Sequence, residues 1–194
     1  NSEVRWTSTG SSSLDWLVGL SRRVADRHDT VDIESHLSRD ASIKRADAAF
    51  GEVTWRVPKT PLSFTAGLRY FREEITARSH VADLLPDLLD DMHVTQDRWI
   101  PRLGLGWHIA DTALLYASVG NGIRSGQAQS ANAILRGEAM GLEVPRRIEP
   151  DALTSYEPGY KHLLADGRLR IQAAVFRSRW RDIPVSIPVD AITT

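Results

Sequence analysis

The sequence predicts an all-β fold, namely an antiparallel transmembrane β-barrel segment of about eight strands with short periplasmic turns and long extracellular loops. Three observations predict it: period-two alternation of apolar and polar residues, connections of two different lengths, and tryptophans close to the short turns. The 194 residues include 24 basic and 25 acidic side chains, a formal charge of -1, and no cysteine. This charge balance does not support nucleic-acid binding, and the lack of cysteine excludes disulfides and thiolate metal sites.

The alternation is clearest in the stretch LSFTAGLRYFREE at residues 62–74. Every second residue from Leu62 to Tyr70 is apolar, and the residues between them are polar or glycine, as in a strand with one apolar and one polar face. The same pattern recurs in pairs of strands joined by short turns rich in Gly, Pro, Asp, Thr or Ser. It predicts four hairpins, at about residues 2–22, 47–72, 98–124 and 154–183.

The segments between the hairpins are long and polar, at residues 23–45, 73–96 and 125–154. In an antiparallel sheet these connections share one edge and the short turns share the other. Outer-membrane barrels show this asymmetry, with short periplasmic turns and long extracellular loops. No apolar run approaches the ~18 to 20 residues of a membrane helix, but membrane strands carry a much weaker hydropathy signal.

Tryptophan placement indicates which face meets lipid. Four of the six tryptophans lie within a few residues of a short turn, all on the apolar side: Trp6, Trp16, Trp55 and Trp107. Indole combines a large apolar ring with one N–H donor and is enriched at membrane–water interfaces. We therefore predict an aromatic girdle that faces lipid, with the opposite rows facing a watery lumen: Glu3, Arg5, Glu52, Arg56, Arg69, Arg102, Tyr116, Arg124, Glu157, Lys161 and Arg170.

Four blocks resemble consecutive barrel strands of TonB-dependent outer-membrane receptors: SEVRWTSTG…LDWLVGL, AAFGEVTWRV…LSFTAGLRYFREE, PRLGLGW…DTALLYASVGNGIRSG and SYEPGYKHLLADGRLRIQAAVFRSRWRDIPV. The resemblance implies a place in the outer membrane of a Gram-negative bacterium, in a large barrel around an N-terminal plug. Such receptors use the TonB complex to import a scarce ligand, most often a ferric siderophore. We expect the chain to be about a third of such a barrel, without plug or TonB box, and to depend on the missing strands and on membrane lipid.

Three residues depart from the family pattern. Pro158 stands within a predicted strand, where proline removes one ladder hydrogen bond. Arg22 and Arg177 follow the lipid-facing parity, close to the long-loop ends of their strands. An arginine there costs ~0 to 1 kcal/mol, compared with ~2 to 4 kcal/mol at the bilayer midplane.

The candidate ligand-binding residues are Arg124, Tyr116 and Arg102, all on the lumenal parity. Arg124 ends its predicted strand at the mouth of the lumen, where a guanidinium can pair in bidentate fashion with the oxygens of an anionic ferric chelate. Alternatively, it pairs with a carboxylate of the plug or of a neighbouring strand.

The sequence predicts no metal site, no cofactor and no enzymatic activity. The loop at residues 80–93 contains acids and histidines, but their spacing is irregular, Pro86 interrupts them, and the leucines suit a short amphipathic helix. No nucleophile elbow or pair of catalytic acids is present in the sequence.

Two other architectures remain open. A self-contained eight-stranded barrel with a structural or adhesive role requires the first strand, near Val4, to pair with the last, near Val175. A soluble β-sandwich that acts as a binding module requires the four girdle tryptophans to share one core.

Overall fold

The computed structural model describes residues 1–10, 12–33, 36–81, 92–129 and 131–185. Most of these residues belong to one antiparallel sheet of nine strands, and the described part of the chain also contains a separate two-stranded sheet and one helix. The elements are β1 Ser2–Thr7, β2 Leu14–Ile33, β3 His36–Arg56, β4 Leu62–Val81, β5 Met92–Ala110, β6 Ala113–Arg124, β7 Gln127–Ala128, α1 Ala131–Ala139, β8 Arg147–Ile148, β9 Asp151–Leu164, β10 Leu169–Ala174 and β11 Arg177–Arg181.

The strands of the large sheet pair in chain order, β1-β2-β3-β4-β5-β6-β9-β10, with β7, α1 and β8 inserted between β6 and β9, and β11 also pairs with β9. Short turns join β1 to β2, β3 to β4, β5 to β6 and β9 to β10, and the sequence of each contains Gly, Pro, Asp, Thr or Ser. β1 and β10 lie at opposite ends of this path and do not pair with each other. The alternative of a self-contained eight-stranded barrel, which requires the end strands to pair, is therefore excluded.

Strands β2 to β5 have 19 to 21 residues each, far beyond the usual five or six of a globular domain. The prediction of a polar loop at residues 23–45 is wrong, because β2 and β3 remain paired from Leu14↔Trp55 to Ile33↔His36. Likewise β4 continues to Val81 and β5 begins at Met92. The possible metal ligands between residues 82 and 91 lie outside the described residues.

The long connection at residues 125–150 folds onto the polar face of the sheet. It contains β7, α1 and β8, and α1 contacts β4. Apolar side chains are buried at this end: Ile75 of β4, Val94 of β5 and Ile134 of α1. No helix in the described part of the chain is long and apolar enough to cross a membrane.

The apolar face of the sheet is exposed. The four tryptophans predicted to form a girdle have 41 to 52% of their surface exposed, and all project from this face. A sandwich core would bury them together, so the alternative of a soluble β-sandwich is excluded. A large apolar face open to the surroundings is the arrangement expected of a sheet in contact with lipid.

Pro158 interrupts the ladder between β9 and the last strand. Val175 N donates to Pro158 O at 3.0 Å, but Pro158 has no N–H to return that bond. The pairing resumes in the same register, from Ala174↔Gly159 to Arg177↔Tyr156. β10 and β11 are therefore one strand with a break opposite the proline.

We predict that Pro158→Val restores the missing bond. In the complete receptor that carries this chain, the new amide should exchange slowly with deuterium, and the free energy of unfolding in urea should rise by about 1 kcal/mol. Ala117→Val is the matched control, because Ala117 faces Pro158 across the ladder and gains side-chain volume without a new donor. Equal stabilisation by both variants would show that packing rather than the hydrogen bond is responsible.

Candidate functional site

Charged side chains on the polar face lie beside glycines of the adjacent strands. Glu52, Gly67, Arg102 and Gly120 occupy one hydrogen-bonding row across β3 to β6. Arg102 Nη1 lies 3.7 Å from Glu52 Oε2, and a Cβ at Gly67 would lie 3.3 Å from that same oxygen. The glycine therefore leaves the space in which the two long side chains meet.

Tyr116 is held in the same way. A Cβ at Gly159, its partner on β9, would lie 2.4 Å from the phenol ring, so the ring occupies the space above the glycine. The Tyr116 hydroxyl donates to Glu157 Oε1 at 2.7 Å, and Lys161 Nζ lies 5.0 Å from the ring centroid. Tyr116 is thus part of a packed polar cluster, in which its hydroxyl already donates a hydrogen bond.

Arg124 pairs with a carboxylate of the neighbouring strand, Asp151. Its Nε donates to Asp151 Oδ2 at 2.7 Å, and its Nη2 contacts the same oxygen. The Asp151 side chain is only 3% exposed, whereas that of Arg124 is 55% exposed. The guanidinium also lies 5.3 Å from the ring centroid of Trp180. One edge of Arg124 is therefore fixed while much of the group stays accessible.

The three predicted site residues do not form one cluster. Tyr116, Gly120 and Arg124 follow one another on the polar side of β6 at intervals of four residues, and Arg102 lies beside Gly120. Each interval is about 13 Å along a strand. The residues instead mark successive heights on one wall of the sheet.

A cavity of about 500 Å³ lies between this wall and the segment at residues 125–149. Three basic side chains line it: Arg23, Lys44 and Arg124. These outnumber its two acids, of which Glu149 pairs with Arg147 and Glu73 accepts a hydrogen bond from the neutral amide of Gln96. Within the described ranges, Arg23 and Lys44 make no ion pair. The cavity therefore presents positive charge to an anion.

A short hydrogen-bonded chain attaches the folded-in segment to the sheet. Gln96 Nε2 donates to Glu73 Oε2 at 2.6 Å, and Gly126 N donates to Gln96 Oε1 at 3.4 Å. All three residues are buried. Because unsatisfied buried polar groups are costly, this chain fixes the position of the segment above the cavity.

Sequence reasoning missed Arg23, Lys44 and Trp180. The first two lie in the stretch that the sequence predicts to be a loop, where the pattern indicates no face for a side chain. Parity alone places Trp180 on the polar face, because it lies an odd number of residues from Arg177. In the described part of the chain, no three His, Asp or Glu side chains are grouped as metal ligands.

The family comparison decides between the possible identities of this sheet. The sequence model described as TonB dependent receptor-like, beta-barrel matches residues 1–194. The chain belongs to this family. Members of the TonB-dependent receptor family are receptors and transporters of the Gram-negative outer membrane, not enzymes. The apolar face of this receptor barrel is accordingly its lipid-facing side, and the polar face is its lumenal side.

Solved receptors share the fold. The chain is similar to the ferric yersiniabactin uptake receptor FyuA of Yersinia pestis, with a TM-score of 0.76 and 19% identity over 93% of the chain and 28% of that receptor. For the alcaligin outer-membrane receptor FauA of Bordetella pertussis, the TM-score is 0.61 and the identity is 18% over 99% of the chain and 31% of that receptor. For the ferric-catecholate import receptor Fiu of E. coli K12, the TM-score is 0.59 and the identity is 15% over 91% of the chain and 30% of that receptor. No curated protein sequence matches the chain.

The chain spans less than a third of each of these three receptors. Residues 1–194 therefore correspond to a section of barrel wall. The free edges at β1 and β10 are those that further strands would cover, since an unpaired edge cannot lie in hydrocarbon.

We predict that Gln96→Leu releases the segment at residues 125–150. The substitution keeps the volume but removes both hydrogen bonds, and it leaves the buried Glu73 carboxylate without its donor, at a cost of about 1 to 3 kcal/mol. Deuterium uptake and protease cleavage of this segment should rise in the complete receptor.

Gln172→Leu is the control for this experiment, because Gln172 is an exposed lumenal residue of β10. Unchanged deuterium uptake in Gln96→Leu, or an equal rise in both variants, would contradict the anchoring role.

Proposed function

We propose that the chain forms part of the barrel wall of a TonB-dependent transporter that imports an anionic iron chelate of the ferric siderophore class. The observation that carries the proposal is the cavity lined by Arg23, Lys44 and Arg124. It lies on the lumenal face at the long-loop end of the strands, which is the extracellular end in outer-membrane barrels.

The charges of the cavity support this ligand class. Ferric complexes of catecholates and carboxylates present anionic oxygens, which pair with guanidinium and ammonium groups. Arg124 is oriented by Asp151 and Trp180, while Arg23 and Lys44 remain available for a ligand. The printed descriptions of the three similar receptors name ferric yersiniabactin, alcaligin and ferric catecholates for those proteins.

The proposed function assigns no chemistry to this section beyond binding and gated passage. The plug and the TonB complex would supply the opening step, and the wall described by these residues would supply part of the binding surface. The segment at residues 125–150, held by Gln96, would cover the ligand from above.

Uptake of radioactive iron by cells that express the complete receptor tests the proposal. The probes are iron complexes of a catecholate, a hydroxamate and citrate, each supplied with and without a functional TonB. We expect TonB-dependent uptake of at least one anionic complex. The absence of uptake for every iron complex, or uptake that does not require TonB, would refute the proposed function.

We predict that Arg23→Gln with Lys44→Gln weakens binding of the transported complex by about five-fold for each charge removed, since an exposed ion pair contributes up to about 1 kcal/mol. The loss should shrink as salt screens the interaction. Equilibrium binding to the purified receptor at low and high salt measures both effects.

Arg170→Gln is the matched control, because Arg170 is an exposed lumenal arginine at the opposite end of the sheet, next to a periplasmic turn. Affinity that falls equally in this variant would mean that overall lumenal charge, rather than the cavity, attracts the complex.

A further inference from the structure

The carboxylate of Glu149 lines the same cavity as the three basic side chains. Glu149 follows β8 directly and precedes Asp151, the first residue of β9, by two positions. Two residues of chain reach at most about 7 Å, so Glu149 lies near the ion pair that Asp151 forms with Arg124. An acid at this position counteracts the attraction of the cavity for an anion.

The backbone around Glu149 is held by the folded-in segment. Ile148 belongs to β8, which pairs with β7, and Pro150 favours an extended backbone at the residue before it. Gly126 packs directly against this part of the chain, since a Cβ there would lie 2.6 Å from Ile148 O and 3.2 Å from Pro150 Cδ. Because the N–H of Gly126 also donates to Gln96, the segment that carries Glu149 is attached to the sheet.

Arg147 binds both oxygens of this carboxylate. Its Nε donates to Glu149 Oε1 at 2.7 Å and its Nη2 donates to Oε2 at 2.6 Å, which makes a bidentate pair. Arg147 itself is not among the described residues that line the cavity. Within the described part of the chain, Glu149 makes no ion pair with Arg23, Lys44 or Arg124.

The formal charges around the cavity balance when Arg147 is left out. Among the described residues, the three bases are matched by three carboxylates, since Glu73 and Glu149 line the cavity and Asp151 pairs with Arg124. Glu73 accepts its hydrogen bond from a neutral amide, which leaves its charge in place. The excess of positive charge at this site therefore depends on Arg147.

The pair of Arg147 and Glu149 is open to solvent. Their side chains are 44% and 62% exposed, and ion pairs of this kind are weak. Arg124 contacts Asp151 through Nε and Nη2, which leaves its Nη1 for a second acceptor in the described structure. A single substitution is therefore sufficient to move the Glu149 carboxylate from one guanidinium to the other.

We propose that Arg147 is a positioning residue for anion binding, which acts by holding Glu149 away from Arg124. This role rests on the proposed function, because the anion is the transported iron chelate. Without Arg147, the Glu149 carboxylate becomes an internal counter-ion that occupies Arg124 and competes with the chelate. The pair thus determines how strongly the cavity prefers an anionic complex to an uncharged one.

Chemical labelling of the complete receptor without ligand tests the contact itself. Phenylglyoxal is an uncharged reagent that modifies accessible guanidinium groups, and mass spectrometry of the digested receptor gives the rate at Arg124. Arg147→Gln should slow this labelling about five-fold, because Glu149 then pairs with Arg124. In a receptor that already carries Glu149→Gln, the same substitution should leave the rate unchanged.

Equilibrium binding of iron complexes tests the consequence. The probes are a ferric tris-catecholate and ferric citrate, which are anions, and a ferric trihydroxamate, which is uncharged. Arg147→Gln should weaken binding of the anionic complex about five-fold and should have no effect in the Glu149→Gln background. Arg147→Lys should bind as the wild type does, because its ammonium still pairs with Glu149. Affinity for the uncharged complex should be the same in every variant.

Arg72→Gln is the matched control. Arg72 donates to Glu74, also two residues away, at 3.3 Å, and both side chains share the lipid-facing parity of Tyr70. The substitution frees a carboxylate of the same kind on the face away from the cavity, so neither labelling at Arg124 nor binding should change. The heat-dependent gel mobility of each variant verifies that its barrel is folded.

The positioning role of Arg147 is refuted if Arg147→Gln leaves the labelling of Arg124 unchanged, or slows it no more than Arg72→Gln does. It is equally refuted if Arg147→Gln weakens anion binding as much in the Glu149→Gln background as in the wild type, since Arg147 would then attract the anion directly. A receptor that binds no iron complex refutes the proposed function instead, while the labelling rates still decide whether Glu149 is released to Arg124.

Discussion

The structure depends on the pairing of backbone polar groups in a sheet whose outer face is in lipid. Hydrocarbon offers no hydrogen bonds, so each strand must find both its neighbours within the barrel. Strand pairing from β1 to β11 satisfies this requirement except at the two edges of the described sheet, and the pairing resumes in the same register after the break at Pro158. Because the backbone fixes the architecture, the outward side chains within the apolar band need only be apolar, and the inward ones can vary within the space available.

Inward variation is limited by space, and glycine supplies that space. Phe50 occupies the position above Gly19, where a Cβ would lie 2.4 Å from its ring, and the guanidinium groups of Arg5 and Arg69 lie 5.8 and 5.7 Å from the ring centroid. Tyr116 is related to Gly159 in the same way. Large side chains therefore lie flat along the wall and cover the backbone of the next strand. The lumenal wall is therefore covered by cationic, carboxylate and aromatic side chains that contact one another.

The sequence predicted the fold where one face meets lipid and the other meets water. Alternation between Leu62 and Tyr70, together with the short turns, located the hairpins because the two faces require opposite residue types there. The prediction of secondary structure failed at residues 23–45. Most residues of β2 and β3 are polar there, so apolar and polar residues do not alternate and the sequence gives no strand signal. The cavity residues Arg23 and Lys44 lie in that part, and their approach to Arg124 is set by tertiary pairing that no local pattern records.

Two arginines on the outer face, Arg22 of β2 and Arg177 of β11, differ in whether a neighbouring side chain compensates their charge. Arg22 was unexpected on a lipid-facing row, but Asp47 is its direct partner on the next strand, and a bidentate pair tolerates the boundary of a bilayer far better than a single charge does. Arg177 has Tyr156 in the corresponding position and makes no ion pair with any residue that the structure describes. The same residue type on the same face therefore has different surroundings on β2 and on β11. On β2 the adjacent strand supplies the counter-charge, whereas on β11 the residue paired with the arginine is an uncharged tyrosine.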